Sequence, residues 1–302
     1  MFSGFSFSER LLNLAKKEVF DAAKETYFEF INTKPKDRIL SLAGEIVELK
    51  PDFIALQEVS EFKIKGGALF NFNLDFLTEL RNTLNESSSC KYEAISSDDF
   101  VLSYKFGGKY LSGEVIFRDR ETILYKKGFS LDGDIVKLKL KDHREPLNYI
   151  GDKIIFNRSL LGGKFKSEYG ESFGLFSTHL DQAMLNSIQP KQGKEIIQFL
   201  INNYGKTEDL FLLGDFNADE NGGTYKLITE GGFKDSYREI NPVDGLIVGH
   251  THSESKRRID YIFYLSKKWK VLKSEVVLNK ADPKSQIFPS DHFGLFTVFE
   301  RI

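Results

Sequence analysis

The chain has 302 residues, of which 41% are hydrophobic, 28% charged and 14% aromatic. That excludes a disordered chain and a collagen-like one, and 28 Phe supply a large core. The 42 basic and 44 acidic side chains leave a formal net charge of −2. Life on non-specific nucleic-acid affinity is not indicated, although an enzyme could still meet nucleic acid through a local patch. No window approaches ~18 uninterrupted apolar residues, so no membrane-spanning helix is expected. Residues 1–18 carry no basic stretch ahead of an apolar one, so no signal peptide is visible and the compartment stays open. The single cysteine, Cys90, cannot form an internal disulfide.

No repeat, low-complexity tract or Pro/Gly linker divides the chain, which reads as one domain over 1–302. Leu11, Leu12, Ala15, Val19, Ala22, Ala23, Tyr27 and Phe30 recur at helical spacing, predicting a helix over about 9–32. A second helix is expected from an N-cap at Asp37, carrying Ile39, Leu42, Ala43, Ile46 and Val47 and stopped by Pro51. The apolar run 53–56 has the form of a strand buried on both faces. A helix is expected over 74–84, then strands and turns from 92 to 176. Residues 134–141 alternate, with Val136, Leu138 and Leu140 on one face and Lys137, Lys139 and Lys141 on the other. The lysine row is read as a solvated sheet face, with phosphate contact as the alternative. A strand is expected over 173–177, a helix over 190–203, a strand over 210–213 and a short helix over 224–229. Strands over 258–264, 271–277 and 295–299 follow. Mixed strands and helices predict an α/β (α+β) domain whose sheets are covered by helices.

The chemical residues stand where apolar strands stop. Gln57-Glu58 follows the first buried strand, Thr178-His179 another, and Gly214-Asp215-Phe216-Asn217 a third. Arg258-Ile259-Asp260 opens a fourth, and Ser290-Asp291-His292 precedes the last. α/β folds place ligands where such ends converge. Singly, each has a bland reading: Glu58 as a cap partner, His179 as a structural histidine, Asp215 and Asn217 as an Asx turn. Together they suit an oxygen-ligated divalent ion with acid/base groups.

LQEV at 56–59, STHLD at 177–181, GDFN at 214–217, RIDYIF at 258–263 and SDH at 290–292 occur in a telling order. From about Asp52 to its end, the chain resembles the endonuclease/exonuclease/phosphatase superfamily. That superfamily includes deoxyribonuclease I, abasic-site endonucleases, neutral sphingomyelinases and inositol polyphosphate 5-phosphatases. RDRETILYKKG at 118–128, the helical insertion over about 8–50 and the THLDQ run resemble a poorly characterised bacterial branch. The resemblance implies a four-layer sandwich, two mixed β-sheets packed face to face and flanked by helices. It also implies metal-dependent hydrolysis of a phosphoester by water, with Mg²⁺ or Mn²⁺ as cofactor. By the same resemblance Glu58 binds the metal, and Asp291 supports it. Asp215 and Asn217 orient the water and contact the phosphate. His292 takes the water's proton or stabilises charge, Asp260 holds the His292 ring, and His179 donates to phosphate or leaving group.

The expected partner is a phosphoester, with nucleic acid, sphingomyelin, inositol phosphates and small phosphoesters all open, and the expected state is a monomer. A catalytically silent binding module of the same fold is the rival from another class. Arg120 and Arg158 are further candidates for phosphate forks or for plain surface arginines. His250 and His252 invite a zinc reading that lacks a third ligand of sensible spacing. Tyr92 and Tyr125 are candidates for an active-site tyrosine. Superfamily members begin with a strand ending in Asn, and residues 1–5 resemble the stretch that follows it. The first strand is therefore expected to be missing.

Overall fold

The computed structural model describes residues 32–65, 71–87, 89–107, 112–143, 147–149, 152–154, 157–182, 188–205, 209–242, 249–283 and 286–302. The helix expected over 9–32 and the question of a first strand fall essentially outside them. Helix α1 spans Pro35–Leu49 and buries Ile39, Ala43 and Ile46. It starts two residues before the expected Asp37, because proline is pre-organised for the first helical turn; Asp37 sits within that turn instead. At the other end Lys50, at φ 50°, turns the chain out ahead of Pro51.

Strands β1 (Phe53–Leu56), β2 (Glu61–Lys65) and β3 (Asn71–Asp75) lead into helix α2 (Phe76–Ser87). The helix starts two residues later than the expected Leu74, because Leu74 pairs with Phe62 in the sheet and Asp75 caps the helix, accepting the Leu77 N–H at 3.0 Å. Strands β4 (Tyr92–Gly107) and β5 (Ser112–Lys126) form a long hairpin. β5 pairs with β4 along one side and with β1 and β2 on the other, giving a five-stranded sheet that is antiparallel throughout its described pairs. Among the described residues β1 has no second neighbour, and its four residues stay only half-buried.

The second sheet has seven strands. It contains β6 (Phe129–Leu131), β7 (Val136–Lys139), β10 (Ser159–Ser167), β11 (Ser172–His179), β12 (Asp209–Asp215), β13 (Lys234–Asp235) and β14 (Asp260–Leu265). β11 and β12 run parallel and their neighbours antiparallel, so this sheet is mixed. In β7 the expected alternation holds: Val136 and Leu138 pack on the core while Lys137 and Lys139 are exposed. Strands β8 (Leu147–Tyr149) and β9 (Asp152–Ile154) form a separate pair, as do β15 (Trp269–Val277) and β16 (Gly294–Arg301).

Three apolar clusters define the layers. α1 and α2 cover the first sheet through Ile39, Ile46, Leu80, Leu84 and Leu124. Ile95, Tyr125, Phe165, Phe173, Phe211 and Tyr264 fill the space between the sheets, with Trp269 and Phe299 of the last hairpin against them. On the far side helix α3 (Ile188–Asn203) and helix α4 (Gly223–Glu230) pack through Ile196, Leu200 and Ile228 onto Phe176, Leu212 and Phe263. This is the expected four-layer sandwich. Helix α5 (Ser236–Ile240) completes the described elements. No described helix is long and apolar enough to cross a membrane.

Candidate active site

Strand register assembles the centre. His179 is the partner of Asp215 across β11 and β12, and Asp215 is the partner of Asp260 across β12 and β14. Opposed residues point to the same sheet face, so the three side chains form a row. Gly214 makes the row possible. It lies opposite Thr178 at φ +139°, and an added Cβ would meet the Thr178 carbonyl oxygen at 1.9 Å. Only glycine lets the backbones approach so closely in that conformation.

His292 joins from the segment before β16. Its Nδ1 lies 3.0 Å from Asp260 Oδ2 and 3.2 Å from Oδ1, so Nδ1–H donates to the carboxylate. Asp260 is itself held by its backbone N–H, which donates to Thr251 Oγ1 at 3.1 Å. Donor atoms of Asp215, Asp260 and His292 all lie within 4.8 Å of one another. Burial pushes Asp215 up to about 7; Asp260 adds to this, while His292 and the Asn217 amide oppose it. Burial disfavours the charged His292 ring, but Asp260, Asp215 and Asp291 overcome it and hold the imidazole at about 10.

Asn217 sits at φ 50°, a conformation its short polar side chain tolerates. Its backbone N–H donates to Asp215 Oδ1 at 2.7 Å, and its side-chain amide donates to Asp215 Oδ2 at 3.2 Å and to the Leu180 carbonyl at 3.0 Å. Both hydrogens of that amide act inside the chain, so the residue holds Asp215. Gln189 of α3 donates to the carbonyls of both Asp181 and Asn217, tying the two strand-end loops together.

His179 is buried, with Nε2 3.5 Å from Asp215 Oδ2. Arg158 Nη1 donates to His179 Nδ1 at 2.7 Å. A guanidinium only donates, so the ring proton must sit on Nε2, facing Asp215. Arg158 therefore positions a histidine, and its Nε lies 3.5 Å from Asp181. Beneath them is Glu121, fully buried on β5, accepting from Ser177 Oγ at 3.0 Å and lying 3.9 Å from His179 Nδ1. Sequence reasoning missed Glu121. It closes the charged run Arg118-Asp119-Arg120-Glu121 and reads there as one more surface charge, and only its place ahead of the apolar pair Ile123-Leu124 hinted at burial.

Glu58 follows β1 at φ 55°, exposed, and contributes negative potential at Asp215. Its turn is clamped by Arg120: Val59 N–H donates to the Arg120 carbonyl at 3.1 Å and Arg120 Nε to the Val59 carbonyl at 3.0 Å. Arg120 is buried and paired with Asp75, so it is neither a phosphate fork nor a surface residue. Asp291 is exposed and belongs to a second group, with His252 and His292, whose donor atoms also lie within 4.8 Å. The two metal candidates, Glu58 and Asp291, are thus not joined in one such group. His250 belongs to neither group and lies against Phe293. The phenols of Tyr92 and Tyr125 donate to the Pro51 carbonyl and to Glu93, within the cores. Arg258, buried against Asp235 and Tyr261, is structural.

Solved structures share this architecture. An endonuclease/exonuclease/phosphatase family protein from Leptotrichia buccalis C-1013-b is 22% identical with a TM-score of 0.62, covering 87% of this chain and 93% of its own. The human Nocturnin catalytic domain with bound sulfate is 19% identical at TM-score 0.62, covering 88% and 86%. A mannosyl-6-phosphatase from Bacteroides thetaiotaomicron VPI-5482 is 20% identical at TM-score 0.61, covering 87% and 91%. No curated protein matches the chain in sequence. The sequence pattern of the Endonuclease/Exonuclease/phosphatase family matches residues 28–292, a span that takes in every strand-end residue of the site, and the chain belongs to that family.

Proposed function

We propose that the protein is a divalent-metal-dependent phosphoester hydrolase acting through an activated water. The observation that carries this reading is the meeting of Asp215, Asp260 and His292 at one end of the second sheet. The residues fit a hard cation. Asp215 is buried, its carboxyl raised first by that burial and further by Asp260 and Glu58, so a cation placed there would relieve both the desolvation and the crowding of negative charge. Carboxylate oxygens suit Mg²⁺ or Mn²⁺ better than zinc. Glu58 would hold the ion, with Asp291 supporting it. Bound there, the ion would neutralise phosphate charge and ease departure of the leaving oxygen.

The chain's own groups supply the rest. Asp215, fixed by Asn217, orients the attacking water and takes its proton. A carboxylate near pKa 7 suits that task at neutral pH. His292 keeps Nδ1–H on Asp260, which fixes the ring's orientation, and its charge stabilises the phosphate oxygens. His179 donates a hydrogen bond from Nε2. Because Arg158 occupies Nδ1, this histidine binds an oxygen rather than delivering a proton.

The test is a panel of plasmid DNA, single-stranded RNA, sphingomyelin, inositol phosphates and bis-p-nitrophenyl phosphate, each with Mg²⁺ and with chelator. Hydrolysis of at least one, abolished by chelator, is expected. Binding without turnover of any would favour a silent module and overturn the reading.

A further inference from the structure

We infer that His252 is a phosphate-binding residue of the same site, donating from Nε2–H to an oxygen of the phosphoester. This rests on the hydrolase reading above. His252 lies on the turn before β14, bridged in sheet fashion to His292, with the two rings edge to face at a centroid distance of 4.9 Å. One of its ring nitrogens lies within 4.8 Å of an Asp291 carboxylate oxygen and a His292 ring nitrogen. The ring is thus built into the wall beside the dyad.

Its chemistry follows from one hydrogen bond. The backbone N–H of Ser255 donates to His252 Nδ1 at 3.1 Å. A backbone N–H cannot accept, so Nδ1 carries the lone pair and the neutral ring carries its proton on Nε2. Among the described residues no partner meets Nε2. The turn is rigid enough to hold this choice: His252 N–H donates to the Arg257 carbonyl, Lys256 N–H to the His252 carbonyl, and Ser253 N–H to the Asp291 carbonyl.

The same bond argues against zinc. A histidine ligating through Nε2 normally carries its proton on Nδ1 and donates it to an acceptor. At His252 that place is taken by a donor. His292 does keep that bond, Nδ1–H on Asp260, so His252 is the ring that denies the group a second nitrogen ligand. The His252–Asp291–His292 group therefore offers one donor and one charged ring to an anion, instead of a nitrogen cage to a metal.

Two substitutions separate this role from a structural one. His252→Asn places an amide near the Nδ1 position and can keep the Ser255 bond while losing the Nε2 donor. His252→Gln reaches the Nε2 position and gives up the Ser255 bond. With Mg²⁺ present, inorganic phosphate affinity by calorimetry and KM on bis-p-nitrophenyl phosphate are measured for wild type, both variants and His252→Ala. The Asn and Ala variants should bind phosphate about 10- to 100-fold more weakly, the cost of one hydrogen bond to a charged group, and Gln should retain most of the affinity. The reverse order, or no change in any variant, would overturn the inference. So would tight Zn²⁺ binding by wild type that His252→Ala abolishes. If the hydrolase reading itself fails, no variant or wild type turns over substrate, yet phosphate binding still keeps or breaks the predicted order.

Discussion

His179 and Asp215 are register partners on adjacent parallel strands, and their side chains meet with Nε2 3.5 Å from Oδ2. Behind the imidazole, Arg158 holds the opposite nitrogen at 2.7 Å. Replacing Arg158 with Met should free the ring to take either tautomer. Turnover should fall about 10- to 100-fold, in line with one charge-assisted hydrogen bond lost from the support of a donor. Histidine ¹⁵N spectra should show the Nε2–H form of His179 in wild type and a mixture in the variant. An unchanged tautomer with unchanged turnover would remove the positioning role.

Gly214 sits where a side chain has no room. Gly214→Ala should cost more than about 2 kcal/mol of stability, from contact with the Thr178 carbonyl and from backbone strain. Urea unfolding gives the number, and near-wild-type stability would mean that β11 and β12 separate easily.

The Asp260–His292 pair should behave as a unit. His292→Ala should lower turnover about 10²–10³-fold, the usual worth of one pre-organised group that stabilises developing charge. Adding Asp260→Ala should cost little more, because the carboxylate acts through the ring it orients. Losses that multiply across the double-mutant cycle would give Asp260 a separate role.

The pH behaviour follows from the same pair. In chelator, His292 is held at about 10, above the 6.5 of an unperturbed histidine. Folding then favours the protonated ring. That stabilisation is complete below pH 6.5 and is lost as pH rises through 10. The melting temperature of wild type should therefore exceed that of His292→Asn at pH 6, and the gap should narrow steadily toward pH 10.5. A gap that widens with pH would reverse the assigned charge.

Much of the site is written at strand ends. Short apolar runs stop at Glu58, His179 and Asp215, and those positions are where the sheets deliver polar groups. The layered fold was legible for the same reason, since buried strands and amphipathic helices announce themselves by periodicity. The supporting residues were not. Arg158 and Arg120 look alike in sequence, yet one holds His179 and the other clamps a turn to Asp75. Only long-range packing separates them. Glu121 was hidden in the charged run 118–121, and His252 by pairing in sequence with His250, whereas its partners in space are Asp291 and His292. Helix starts at Pro35 and Phe76 depended on local capping and on strand pairing.

Asp215 carries the central claim, so its conversion to Asn is the most direct measurement. The substitution keeps size and the bond from the Asn217 backbone N–H, gives up the acceptor facing the Asn217 amide and His179, and removes the group proposed to accept the water's proton. With the best substrate of the panel and saturating Mg²⁺, kcat should fall by about 10²–10⁴-fold with KM little changed. Both proteins should be inactive in chelator. Turnover by Asp215→Asn equal to wild type, or wild-type turnover that persists in excess chelator, would contradict a metal-dependent hydrolase working through this site.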